Sequence, residues 1–179
     1  MKTKILSLFI LVGLNGFAQK KMLTKTGRLT FEASVPAFEE IKAKNESVTC
    51  IMNPATGEIA SLALIKSFRF KVALMEEHFN ENYMESDSYP KATFKGKIDN
   101  FDLSKLTAIA KEYSIRGKME IHGKIKDITI TAKIKKSDNS IDIISDFFIS
   151  TDDFGIEIPS VVSNKVSKKV AVKLDVSLR

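Results

Sequence analysis

The sequence predicts an all-β protein whose antiparallel strands enclose a dry interior, with one short helix set among them. Three observations carry this. Apolar and polar residues alternate with a period of two along most of the chain. Turn-forming residues separate the alternating runs. One stretch, SFRFKVALMEEHFNENYMESDSYPKATFKG from Ser67 to Gly96, reads as strand, acidic amphipathic helix and strand.

The first residues read as an export leader. Lys2 and Lys4 precede an apolar run from Ile5 to Val12, and Gly16-Phe17-Ala18 places small residues at the cleavage positions. The expected cut lies between Ala18 and Gln19. The leader spans 1–18 and a single domain spans 19–179. The apolar run is far short of the roughly 20 residues needed to cross a bilayer. The expectation is therefore no transmembrane segment, and no lipoprotein cysteine follows the cut. The destination is the periplasm or the outside of the cell.

Alternation then fixes faces. Leu29, Phe31, Ala33 and Val35 share one face of a first strand. Asn53-Pro54-Ala55-Thr56-Gly57 marks a turn between SVTCIM and EIASLALIKSF. Ala92, Phe94, Gly96 and Ile98 face inward on the strand after Tyr89-Pro90. Tyr113, Ile115, Gly117, Met119 and Ile121 do so on the next, and Ile128, Ile130, Ala132 and Ile134 on the one after. His122-Gly123 and Ser137-Asp138-Asn139-Ser140 are turns. Ile141, Ile143, Phe147 and Ile149 share a face, so Phe147 points in and Phe148 out. A strand is expected over Phe154–Ile158, ended by Pro159. Val170, Val172, Leu174, Val176 and Leu178 form the inner side of the last strand. Eight or nine strands in all fit a sandwich or a barrel, and closure into a barrel would remove exposed edges. Small inward residues such as Ala33, Ala63, Gly96 and Gly117 suit either a cavity or tight packing.

The helix is expected over Lys71–Met84. Leu74, Met75, His78, Phe79, Asn82 and Tyr83 fall on one stripe, and Glu76, Glu77, Asn80 and Glu81 on the other. Such a helix either plugs a barrel end or lines the entrance to an apolar pocket.

Composition narrows the function classes. The 179 residues carry a net charge of +6, which falls to +4 without Lys2 and Lys4. Lysines alternate with acids along the strands, as on a solubilising surface, so no nucleic-acid partner is expected. Cys50 is the only cysteine and lies in VTCIM, which reads as a buried, inert thiol. There are two histidines, His78 and His122. The sequence holds no HExxH, paired CxxC, G-x-S-x-G or phosphate-binding loop. No catalytic residue, metal or cofactor is expected, and the protein does not read as an enzyme. Asp152-Asp153 reads as a turn or strand entry.

Three segments carry a resemblance to a known family. Ser67–Gly96 looks like the strand–helix–strand of the YceI-like proteins, in an exported bacterial subgroup. GKMEIHG, Gly117–Gly123, is similar to the family's strand ending in His-Gly. DDFGI, Asp152–Ile156, resembles its Asp-Phe-Gly element. After His-Gly many members read Val-Thr-Lys-Pro-Val, whereas this chain reads Lys124-Ile125-Lys126-Asp127-Ile128. The resemblance implies an eight-stranded antiparallel, lipocalin-like barrel with the helix at its mouth. It also implies an apolar lumen that holds a polyisoprenoid or other amphiphilic lipid, in proteins some of which are linked to stress or isoprenoid-quinone handling.

Two functions follow as expectations. One is an exported carrier of a long-chain isoprenoid or other amphiphile. The other is a secreted structural or stress protein whose barrel is filled by side chains. For the carrier, the expected ligand-lining residues are Phe70, Leu74, Met75, Phe79, Tyr83, Phe94 and Phe147. The sequence leaves open whether the protein is a homodimer.

Overall fold

The computed structural model describes residues 21–179; the expected leader lies outside them. Strands β1 (Met22–Ser34), β2 (Lys42–Met52) and β3 (Glu58–Leu64) come first, followed by the two-residue β4 (Arg69–Phe70). Helix α1 (Ala73–His78) continues into a π-helical turn, Phe79–Tyr83. Strands β5 (Lys91–Ile98), β6 (Lys111–Ile121), β7 (Lys124–Ser137), β8 (Ser140–Ser150) and β9 (Val166–Leu178) complete the chain.

The order around the sheet is β1-β9-β8-β7-β6-β5-β3-β2, and β2 pairs back onto β1. All pairings are antiparallel, so eight strands close an up-and-down barrel. Closure pairs every long strand on both sides and so removes the free edges of an open sheet. Hairpin chemistry sets the connections. The β6–β7 turn is His122-Gly123, with φ of +50° and +71°, the left-handed pair that a two-residue hairpin demands.

β2 changes partner midway. Its residues Thr49–Met52 pair with β3, while Ala43 and Lys44 pair with β4. Asn45 fills the gap between, fully buried. Its Nδ2 donates to the Leu64 carbonyl at 3.0 Å, and its Oδ1 accepts from Ser47 N at 2.9 Å. No alternation pattern announces this asparagine.

The strands face as the alternation predicts, with Ala33, Phe94, Ile98, Ile115, Met119, Ile130, Ile134, Val172 and Val176 all buried. Segment 154–158 departs from expectation. No strand forms there; a 3-10 turn spans Asp152–Phe154 instead. The Thr151 carbonyl accepts from both Phe154 N (3.1 Å) and Ile156 N (3.0 Å), so these amides are spent locally and cannot join a ladder. Phe154 and Ile156 still bury their side chains against the core. Cys50 is completely buried, and the loss of solvation pushes its thiol up to about 12. A thiol held that far from ionisation is no nucleophile at neutral pH.

Candidate functional site

The site is a cavity of about 480 Å³ at one end of the barrel, within the range of small-molecule pockets. Its wall comes from inward positions of the strands: Phe31 and Ala33 on β1, Ala63 on β3, Ala92 and Phe94 on β5, Met119 and Ile121 on β6. Phe147 and Ile149 of β8 and Val170 and Val172 of β9 complete it. The mouth lies between the β1–β2 loop, which supplies Phe38, Glu39 and Ile41, the helix, and the β8–β9 connection, which supplies Ile158, Val162 and Lys165. Polar groups are few, namely Ser61, Thr93, Thr151 and Ser167 in the wall and Glu39, His78 and Lys165 among the mouth elements.

The helix covers this end. Met75, His78, Phe79 and Tyr83 line the cavity. Phe79 packs into a cluster of four rings with Phe31, Phe68 and Phe70, whose centroids lie 5.1–5.8 Å apart. Each such pair adds about 0.5–1.5 kcal/mol beyond burial of area. The helix is also clamped from its polar side. Glu76 accepts from Arg69 Nη1 at 2.9 Å and from Phe70 N at 3.1 Å, which ties α1 to β4. Past Phe79 the helix widens into π geometry, with Met84 N donating to the Phe79 carbonyl at 2.9 Å. Beyond it the connection is pinned to the β6–β7 turn, where Glu85 Oε1 lies 3.2 Å from His122 Nε2 and the Tyr89 ring lies 4.4 Å from the imidazole.

Of the seven residues expected to touch a ligand, the structure places Phe70, Met75, Phe79, Tyr83, Phe94 and Phe147 on the cavity wall and leaves Leu74 outside it. Leu74 is 56% exposed, because a residue one step from Met75 is turned about 100° around a helix and faces solvent. Asn82 is likewise exposed, whereas Glu76 and Asn80, expected on the wet stripe, are half-buried against β4 and the helix. Phe148, on the outer face, is 61% exposed beneath the Lys169 ammonium. Phe31 and Phe68 belong to the ring cluster although neither stands out in the sequence; Phe31 follows from strand alternation, while nothing marks Phe68.

Phe94 has a particular position. It pairs with Met119 across β5 and β6, and one step down Gly96 pairs with Gly117. A Cβ at Gly96 would lie 2.7 Å from Phe94 Cζ, and one at Gly117 would lie 2.8 Å from the same atom. The tip of the ring therefore lies against the two glycines, in space that a side chain there would occupy.

Among the described residues, two buried side-chain atoms, Asn80 Oδ1 and Thr151 Oγ1, have no hydrogen-bond partner. Among the described residues no three His, Cys, Asp or Glu side chains group to hold a metal, and no helix is long and apolar enough to cross a membrane.

Solved structures share this architecture. A polyisoprenoid-binding domain from Saccharophagus degradans superposes with a TM-score of 0.78 at 15% identity, over 89% of this chain and 97% of that one. BcnA of Burkholderia cenocepacia gives 0.70 at 16% identity, over 86% and 96%. The YCEI protein of Campylobacter jejuni gives 0.55 at 17%, over 99% and 89%. Identities this low establish the fold alone. A comparison with curated proteins finds no match. The model of the YceI-like domain matches residues 17–178, which include every strand of the barrel and the helix, and the chain belongs to that family.

Proposed function

We propose that this chain binds an isoprenoid or other single-chain amphiphile, with the apolar tail inside the barrel and the polar end at the mouth. The observation that carries this is the cavity itself. A space of about 480 Å³ walled mainly by Phe, Ile, Val, Met and Ala, with few polar groups, suits an apolar chain better than a polar solute. Buried tail area contributes roughly 25 cal/mol per Å² before the costs of association. The helix supplies an adaptable cover through Met75, Phe79 and Tyr83. The polyisoprenoid-binding domain of the same fold supports the ligand class. The polar side chains of the mouth elements suit a head group that stays in contact with water.

Native mass spectrometry of gently purified protein should show an adduct of several hundred daltons that organic solvent removes. Delipidated protein should then bind a fluorescent polyprenyl probe saturably. Phe79→Asp should weaken that binding at least roughly tenfold, or about 1.4 kcal/mol, with circular dichroism unchanged. Absence of saturable binding by the wild type would favour a protein with no ligand.

The Lys2/Lys4, Ile5–Val12 and Gly16-Phe17-Ala18 pattern supports delivery to the periplasm or beyond. Mature protein from its host should begin at Gln19; recovery of Met1 would sink this part. A link to isoprenoid-quinone handling or stress belongs to the same proposal and would show as quinone among the released adducts.

A further inference from the structure

The lumen does not run the length of the barrel. Phe94 and Met119 line it, but Ile98 and Ile115, two inward steps further down the same strands, do not. The layer between them is the glycine pair Gly96 and Gly117, and the Phe94 ring fills it. Phe94 is only 7% exposed, although its ring borders a cavity. It is held from below by backbone that carries no side chain.

We propose that Phe94 is the floor of the binding site and sets the length of chain the protein accepts. The proposal rests on the lipid-binding reading above and deepens it. The ligand class is a single acyl or prenyl chain whose tail end meets the Phe94 ring; the rest of a chain longer than the lumen would protrude through the mouth. Removing the ring opens one layer, down to Ile98 and Ile115. Two strand residues at about 3.3 Å each, tilted about 40°, give roughly 5 Å of added depth, or about four carbons.

The test is a homologous series of saturated fatty acids, from about C10 to C24, displacing a fluorescent polyene fatty acid from delipidated protein. Wild-type affinity should rise by about fourfold per methylene and level off, before C24, once the tail reaches the Phe94 ring. Phe94→Ala should move the break to chains about four carbons longer. Phe94→Leu, which keeps a buried apolar side chain and folds even where the alanine variant fails, should move it in the same direction by less. A break at one unchanged length in the wild type and the leucine variant overturns the proposal. So does wild-type affinity that still climbs at C24. Saturable binding with either of those results leaves the lipid-binding reading standing, whereas no saturable binding at any length removes that reading and this one together.

Discussion

Below Phe94 the barrel is packed with Ile98, Ile115, Ile130, Ile134, Ile141, Ile143, Val176 and Leu178, none more than 8% exposed. Above it the same strands ring a hollow. Both halves follow one alternation of apolar and polar residues, and both close the same ladders. The difference lies in side-chain size and placement. In the lower half branched side chains meet across the axis. In the upper half Ala33, Ala63 and Ala92 recede into the wall, and the Phe31, Phe68, Phe70 and Phe79 rings gather together under the helix. The lower half holds the barrel shut. The upper half spends the resulting rigidity on an empty space that a fully packed core would not tolerate.

The comparison breaks most visibly at Ile134, which has no exposed surface. Ile134→Asp would strand a charge among isoleucines, and no folded protein should be recovered, as judged by circular dichroism and gel filtration. A pair of milder changes tests the contrast itself. Ile143→Ala in the packed half should cost about 2–5 kcal/mol in urea unfolding. Ile149→Ala on the lumen wall should cost about 1 kcal/mol or less, because its side chain already borders empty space. Equal losses would mean that the two halves are not distinct.

A smaller effect is expected at the closed end. Asp142 accepts from Ser137 Oγ at 2.7 Å and Ser177 Oγ at 2.7 Å, joining the β7–β8 turn to β9. The Ser137 hydrogen bond, first among several causes, lowers the Asp142 pKa below the ordinary value. A depressed folded-state value means the group stabilises above the unfolded value, near 4, and that this contribution is lost as pH falls through the folded value. Asp142→Asn should cost about 1 kcal/mol at neutral pH and flatten the loss of stability on acidification below about pH 4. An unchanged acid limb in thermal melts would assign the loss to other carboxylates. Smallest of all, Lys173→Ala on the outer face should change stability by less than about 0.5 kcal/mol, since its pair with Asp146 is long, at 3.9 Å, and exposed.

Much of this was legible beforehand, for a physical reason. A strand's period is two, so once Ile141 and Ile143 are placed inside, Phe147 must follow and Phe148 must not. The helix was legible from its break in that period. Its edge was not: Leu74 is apolar like Met75, yet the 100° step between them turns it to solvent. The Thr151 carbonyl captured two amides of a segment that reads as strand, and such local competition leaves no mark in hydropathy. The ring cluster brings Phe31 to Phe68 and Phe79 across long stretches of chain, so only closure of the barrel reveals it. Nor does alternation say whether an inward residue meets a neighbour or a void. Gly96 and Gly117 suit either a cavity or tight packing as sequence, and the structure decides for packing, with the ring of Phe94 against them.

The seam between β1 and β9 carries a kinetic consequence. It joins Arg28 to Asp175 and Phe31 to Val172, residues separated by most of the described chain. Seven of the eight barrel ladders join strands that are neighbours along the chain, but the eighth, β1 with β9, must wait for β9 and must meet a large loop-closure entropy. Until then the sheet is an open trough, with the future lumen facing sideways to whatever surrounds it. An amphiphile present during folding meets that trough directly, with no need to pass beneath the helix. Refolding from urea with and without a fatty chain should therefore differ in rate and in final occupancy, whereas the same chain added to the finished barrel must enter by the mouth.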